Sequence, residues 1–210
     1  LKMYIDGELV PSVNNVTKEI YSPLNDEKIA TLSWANSLDS ERALKSAEQG
    51  FDTWSKTPLK KRKEWMLILR NKILEKEEIL RRSISYEMGK PYGATAEDIE
   101  SITNSLKYYS DIIEDYQKDK EIIDPDGTHN HHLVSKPIGV VVAYLAWNFP
   151  LLNAGFKLGP ALASGCSIIL KPSELSPISL YIIGEILHEI NFPKGVVNIL
   201  CGEPSEVATT

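Results

Sequence analysis

Residues 138–200 read IGVVVAYLAWNFPLLNAGFKLGPALASGCSIILKPSELSPISLYIIGEILHEINFPKGVVNIL, and the architecture follows from how apolar runs alternate with helical periods along them. Ile138 to Leu145 is an apolar, valine-rich run of strand length. Pro150 to Ser164 fits a helix, and Ser167 to Leu170 a second strand. Pro177 to Ile190 fits another helix, with Ser176 as its N-cap, and Val196 to Leu200 a third strand. None of these strands alternates polar with apolar residues, so each is expected to be buried on both faces. Helical crossovers of this length join parallel neighbours. The pattern is βαβαβ, one half of a doubly wound, Rossmann-like α/β fold.

In such sheets ligands bind outside the carboxyl ends of the strands. Those ends carry Ala146, Trp147 and Asn148 after the first strand, Lys171, Pro172, Ser173 and Glu174 after the second, and Cys201, Gly202 and Glu203 after the third. The glycines never occur as GxG, so neither the dinucleotide fingerprint nor a Walker loop is present. A nucleotide would have to be held through its ribose hydroxyls and helix N-termini, for which Lys171 and Glu174 are well placed.

Upstream, the rhythm differs. Residues 1–10 read as a hairpin, Met3-Tyr4-Ile5 and Glu8-Leu9-Val10 around Asp6-Gly7. Short extended pieces follow at Glu19 to Tyr21 and Lys28 to Leu32. Ala43, Ala47, Gly50, Phe51 and Trp54 then share one helical face. After Thr57 as N-cap and Pro58 at the first helical position, Trp65, Met66, Leu69 and Ile73 share another. A third helix ends at Gly89 with Pro91 beyond it. A fourth carries a narrow stripe of Ile99, Ile102, Leu106, Tyr109, Ile113 and Tyr116. Charge crowds Asp39 to Glu121, whereas from Pro137 to Leu170 only Lys157 is charged, so that second stretch should be mostly buried. The turn-rich Asp124-Pro125-Asp126-Gly127-Thr128 lies between them. The expected division is a hairpin-and-helix part over 1–122, a connecting arm over 123–137, and the βαβαβ part over 138–210.

Composition narrows the function. The chain has 210 residues, 42% hydrophobic and 25% charged, with 23 Lys and Arg against 29 Asp and Glu, a formal net charge of -6. That balance argues against nucleic acid as a partner. The longest nearly apolar run, Ile138 to Trp147, falls well short of the roughly 20 residues that a membrane span needs. No secretion signal is evident. The two cysteines, Cys166 and Cys201, show no metal-type spacing, and the expected compartment is the reducing cytoplasm.

Several ordered motifs carry a resemblance. Pro137-Ile138-Gly139-Val140-Val141, Trp147-Asn148-Phe149-Pro150-Leu151, Lys157-Leu158-Gly159-Pro160-Ala161-Leu162-Ala163, Lys171-Pro172-Ser173-Glu174 and Phe192-Pro193-Lys194-Gly195-Val196-Val197-Asn198 closely resemble the NAD(P)-dependent aldehyde dehydrogenase superfamily. Glu87-Met88-Gly89-Lys90-Pro91 and Ile5-Asp6-Gly7-Glu8 resemble its N-terminal signatures, in the same order. The resemblance implies oxidation of an aldehyde to a carboxylate with NAD(P)+, through a thiohemiacetal and a thioester. Asn148 matches the asparagine whose amide helps hold the oxyanion when a cysteine thiolate attacks the aldehyde. Such a donor is worth roughly 3 to 4 kcal/mol. Lys171 and Glu174 match the pair on the adenosine ribose hydroxyls. Leu145, Ala146 and Trp147 match backbone along the cofactor, and Gly202 a glycine near the adenine ribose or pyrophosphate. Phe149, Asn153 and Phe156 match the substrate entrance, where Asn153 hints at a small or oxygenated aldehyde. An anionic Glu174 should repel a 2'-phosphate, which favours NAD, while Ser173 leaves NADP possible. Two positions depart from the family pattern: Ala146 stands where proline is common, and Cys166 where asparagine is.

Plainer readings stand beside these. Asn148 could cap the helix that begins near Pro150. Lys60-Lys61-Arg62-Lys63 reads as a solvated helix face. Cys166 and Cys201 read as inert core thiols. His131 and His132, adjacent on a strand, would point to opposite faces, so no metal is expected. The resemblance makes the surrounding arm a contact between protomers. Family members are more than twice this length. The resemblance therefore places the nucleophilic cysteine and the glutamate base beyond position 210, and residues 205–210 in an incomplete crossover helix. The expected partners are a small aldehyde, and the remainder of the enzyme or a homo-oligomer. The polypeptide alone should not oxidise aldehydes. The competing class is a non-catalytic nucleotide-binding or assembly module, either a degenerate paralogue or half of a split enzyme.

Overall fold

The computed structural model describes residues 1–208. A hairpin of β1 (Met3–Ile5) and β2 (Glu8–Val10) opens the chain. A second hairpin of β3 (Thr17–Tyr21) and β4 (Lys28–Ser33) follows. Four helices come next: α1 (Ser37–Trp54), α2 (Leu59–Glu75), α3 (Glu77–Met88) and, after a 3-10 turn at Tyr92–Thr95, α4 (Ala96–Tyr116). A two-stranded arm of β5 (Lys120–Ile123) and β6 (Asn130–Leu133) leads into β7 (Val140–Tyr144), α5 (Pro150–Ser164), β8 (Ser167–Lys171), α6 (Ile178–Glu189), β9 (Val197–Ile199) and a short α7 (Pro204–Val207). Of the expected crossover residues 205–210, Thr209 and Thr210 lie outside the described residues.

The central sheet runs β2-β1-β9-β8-β7, with β7, β8 and β9 parallel and β1 antiparallel to β9. The N-terminal hairpin is therefore part of the same sheet as the βαβαβ unit. Its Asp6-Gly7 turn takes two left-handed residues, which matches the right-handed twist of the flanking strands. All five residues of β8 are buried, as a central strand without alternation demands. α1 packs on the face that carries Val142, Ile169 and Leu200. α5 and α6 cover the opposite face, and the Trp54 indole reaches from α1 to the Leu162 carbonyl at 2.9 Å.

Four expectations are corrected. Thr57 does not cap α2: its hydroxyl donates to the Thr53 carbonyl in the preceding helix. Ser176 does not cap α6 either, because its hydroxyl donates to the Trp147 carbonyl. In the basic run of α2, Arg62 is buried rather than solvated. It donates to the Thr57 and Ala163 carbonyls and to the Gln117 side chain. Finally, the nearly uncharged stretch is only partly buried: Ile138 is 89% exposed, and Val142, Tyr144, Trp147 and Phe156 all face solvent. The strand order explains the exposure of Val142 and Tyr144, since β7 lies at the sheet margin and among the described residues pairs only with β8. Tyr116, at the end of the α4 stripe, is likewise exposed.

Candidate functional site

The three parallel strands end on one edge. β7 runs out through Leu145, whose N–H donates to the Lys171 carbonyl at 3.0 Å, and then through Ala146, Trp147 and Asn148, which are exposed. The turn is braced from outside. Ser176 holds the Trp147 carbonyl at 3.0 Å, and α5 begins at Pro150 after Phe149. Asn148 does not cap that helix. The first free N–H groups of α5, on Leu151 and Leu152, donate instead to Asp98 at 3.1 and 3.3 Å.

β8 ends on Lys171, only 6% exposed, whose ammonium lies 3.2 Å from the Glu174 carboxylate. Glu174 is held below the ordinary carboxylate range by its own backbone N–H and by Lys171. Ser173 turns the loop by accepting the Leu175 N–H on its hydroxyl. An ammonium donor and a carboxylate acceptor at this spacing are the complement that a ribose diol requires, so the residues present fit a nucleotide. After β9, Gly202 bridges to Ala35. A β-carbon at Gly202 would come within 2.2 Å of the Ala35 carbonyl oxygen, so packing alone demands glycine there. Lys18 and Glu203, 3.0 Å apart, flank the same edge.

The edge thus gathers Leu145, Ala146, Trp147, Asn148, Lys171, Ser173, Glu174 and Gly202. The other three candidates are disposed differently. The half-buried Phe149 ring lies beneath the Lys90 ammonium at 3.7 Å. The Asn153 side-chain amide donates back to the Phe149 carbonyl at 2.9 Å. Phe156 sits about 10 Å further along α5, by helical rise, in a groove with Ile138, Val141 and Pro160. The structure does not bring Phe156 together with Phe149.

Two carboxylates missed at the sequence level brace this edge. Glu87 in α3 accepts the N–H groups of Ile178 and Ser179 at the start of α6, at 2.6 and 3.4 Å, as Asp98 does for α5. Glu87 lies in a motif already singled out. Asp98 is an ordinary acidic residue in the first turn of α4, and nothing local marks it. Both cysteines are buried free thiols, and burial pushes the Cys201 thiol up to about 12. On the arm, His129 and His131 stack beside Asp124, but among the described residues no group of His, Cys, Asp or Glu is arranged to hold a metal. No described helix is long and apolar enough to cross a membrane.

Residues 10–210 match the aldehyde dehydrogenase family. The chain is 34% identical over 205 residues to aminoaldehyde dehydrogenase 2 of Solanum lycopersicum, covering 96% of this chain and 41% of that protein. It is 33% identical over 208 residues to the chloroplastic betaine aldehyde dehydrogenase of Amaranthus hypochondriacus, covering 96% of this chain and 42% of the relative. The fold superposes on betaine aldehyde dehydrogenase of Staphylococcus aureus, solved in complex with NAD+, with a TM-score of 0.91 and 36% identity, over 99% of this chain and 41% of that one. The chain thus spans about two-fifths of the length of these relatives. With the motif order, the mixed sheet and the match across nearly every residue in agreement, this chain belongs to the aldehyde dehydrogenase family.

Proposed function

We propose that this chain supplies the coenzyme-binding edge and the oxyanion donor for NAD+-linked oxidation of an aldehyde to a carboxylate. The observation that carries the reading is the convergence of Asn148, the Lys171–Glu174 pair and Gly202 on one edge of three parallel strands. NAD+ would lie along Leu145, Ala146 and Trp147, its adenosine ribose diol shared between Lys171 and Glu174 beside Ser173 and Gly202. When bound, it supplies the hydride acceptor.

Asn148 would act on the substrate oxygen. When a thiolate adds to the aldehyde carbon, the carbonyl oxygen gains charge. A neutral, fixed amide donor stabilises that charge without itself titrating. Glu174, kept anionic, would disfavour a 2'-phosphate and select NAD+ over NADP+. Phe149 and Asn153 would line the approach, with Phe156 about two helical turns further out along α5. Asn153, and the nitrogen-bearing aldehydes that name two of the relatives, support a polar substrate. The free, buried thiols suit a cytoplasmic setting. The exposed arm β5–β6 would serve assembly with further copies or with the rest of the enzyme.

The test is steady-state kinetics on the full gene product. N148A should lower kcat about 10²- to 10³-fold. K171A and E174A should raise the coenzyme KM, and E174A should narrow the gap between NAD+ and NADP+. An N148A enzyme with unchanged kcat, or coenzyme affinity indifferent to both edge substitutions, would overturn the proposal.

A further inference from the structure

Asn148 stands between pinned neighbours. The Trp147 carbonyl is held by Ser176, and the Phe149 ring lies under the Lys90 ammonium at 3.7 Å. Lys90 is tied in turn to Asp98 at 2.7 Å, and Asp98 is fully buried. One Asp98 oxygen takes Lys90, while the other takes the N–H groups of Leu151 and Leu152. The Asn148 amide itself makes no hydrogen bond among the described residues, although residues on both sides of it are fixed.

A cap alone does not require this arrangement. Ser, Asn or an exposed Asp would satisfy the start of α5 at less desolvation cost, because a buried carboxylate and ammonium give up hydration that their attraction only about repays. What the pair adds is direction. A single carboxylate ties the helix start to an ammonium, and the ammonium bears on the ring next to Asn148. A cation over an aromatic face fixes the ring orientation as well as contributing energy. Asp98 also answers the positive end of α5, leaving the amide of Asn148 as the local donor for a developing oxyanion.

We propose that Lys90 and Asp98 are positioning residues that hold the Asn148 amide where the substrate oxygen becomes charged. The proposal rests on the oxyanion reading of Asn148, and the test separates the two. In the full gene product, K90M and D98N are each measured alone and combined with N148A, with thermal unfolding confirming the fold. K90M should lower kcat about 10- to 100-fold, as a displaced reacting group does, with the coenzyme KM unchanged. K90R should restore most of the loss. In the N148A background K90M should have no further effect, because its target is gone.

If N148A leaves kcat unchanged, the oxyanion reading fails. If N148A lowers kcat but K90M either leaves kcat intact or lowers it equally with and without Asn148, the positioning proposal fails. Should D98N not fold, K90M and its rescue by K90R decide alone, since neither removes the buried carboxylate.

Discussion

Glu87 makes the stability of this fold depend on pH in a direction opposite to most carboxylates. Burial pushes its carboxyl from the ordinary 4.5 up to about 8, against the opposing effect of N–H groups donated by Ile178 and Ser179. Between these values the unfolded chain has released the proton and the folded chain keeps it, so stability falls as pH rises. At about 1.4 kcal/mol per pH unit, the loss from pH 5 to pH 8 is on the order of 4 kcal/mol, and it levels off above pH 8. E87Q reproduces the shape of the protonated carboxyl and cannot titrate, and its carbonyl can still accept the Ile178 N–H. Urea unfolding of wild type and E87Q at intervals from pH 5 to 9.5 reads the difference directly. The two should be nearly equal at pH 5, with the variant ahead by several kcal/mol at pH 8. A difference constant to within about 0.5 kcal/mol across that range, at unchanged m-values, would show that Glu87 is ionised in the fold and refute the reasoning.

Two further outcomes follow from buried groups. R62M strands the Thr57 and Ala163 carbonyls and should cost about 3 to 5 kcal/mol in urea unfolding, whereas K61M, one position away and exposed, should cost under about 0.5. An R62M variant as stable as wild type would show that these carbonyls find other partners. With Cys166 and Cys201 both buried and the Cys201 thiol pushed up by burial, both should resist a thiol reagent in the native fold and react once urea opens it. Labelling of either cysteine as fast in the native state as in urea would contradict this.

Local chemistry was the legible part. Pro150 at the start and Gly165 just past the end bound α5 at the residues expected, Asp6-Gly7 marks the hairpin, and the apolar run of β8 is as buried as its composition demands. The edge residues were placed by the same logic, because strand ends follow once strands are found. The caps were not. Thr57 and Ser176 are good local cap residues, yet α2 has no side-chain cap and α6 takes its cap from Glu87, 91 positions away in sequence, as α5 takes its cap from Asp98, 53 positions away. The burial of Arg62 is illegible for the same reason: a basic run looks solvated until the carbonyls of two other segments close over one member. The exposure of Val142 and Tyr144 depends on strand order, and apolar composition does not encode which strand lies at the margin.

The placement of β1 beside β9 sets a timetable for synthesis. The Asp6 N–H bonds the Asn198 side chain across 192 positions, and Tyr4 pairs with Ile199. At roughly 5 to 20 residues per second, the first hairpin waits on the order of 10 to 40 s on the ribosome before its neighbouring strand exists. Throughout that interval Met3, Tyr4 and Ile5, all buried in the finished fold, have no β9 to lie against. Nascent-chain stalling before and after residue 199 emerges should therefore bracket a sharp rise in protease resistance at residues 1–10.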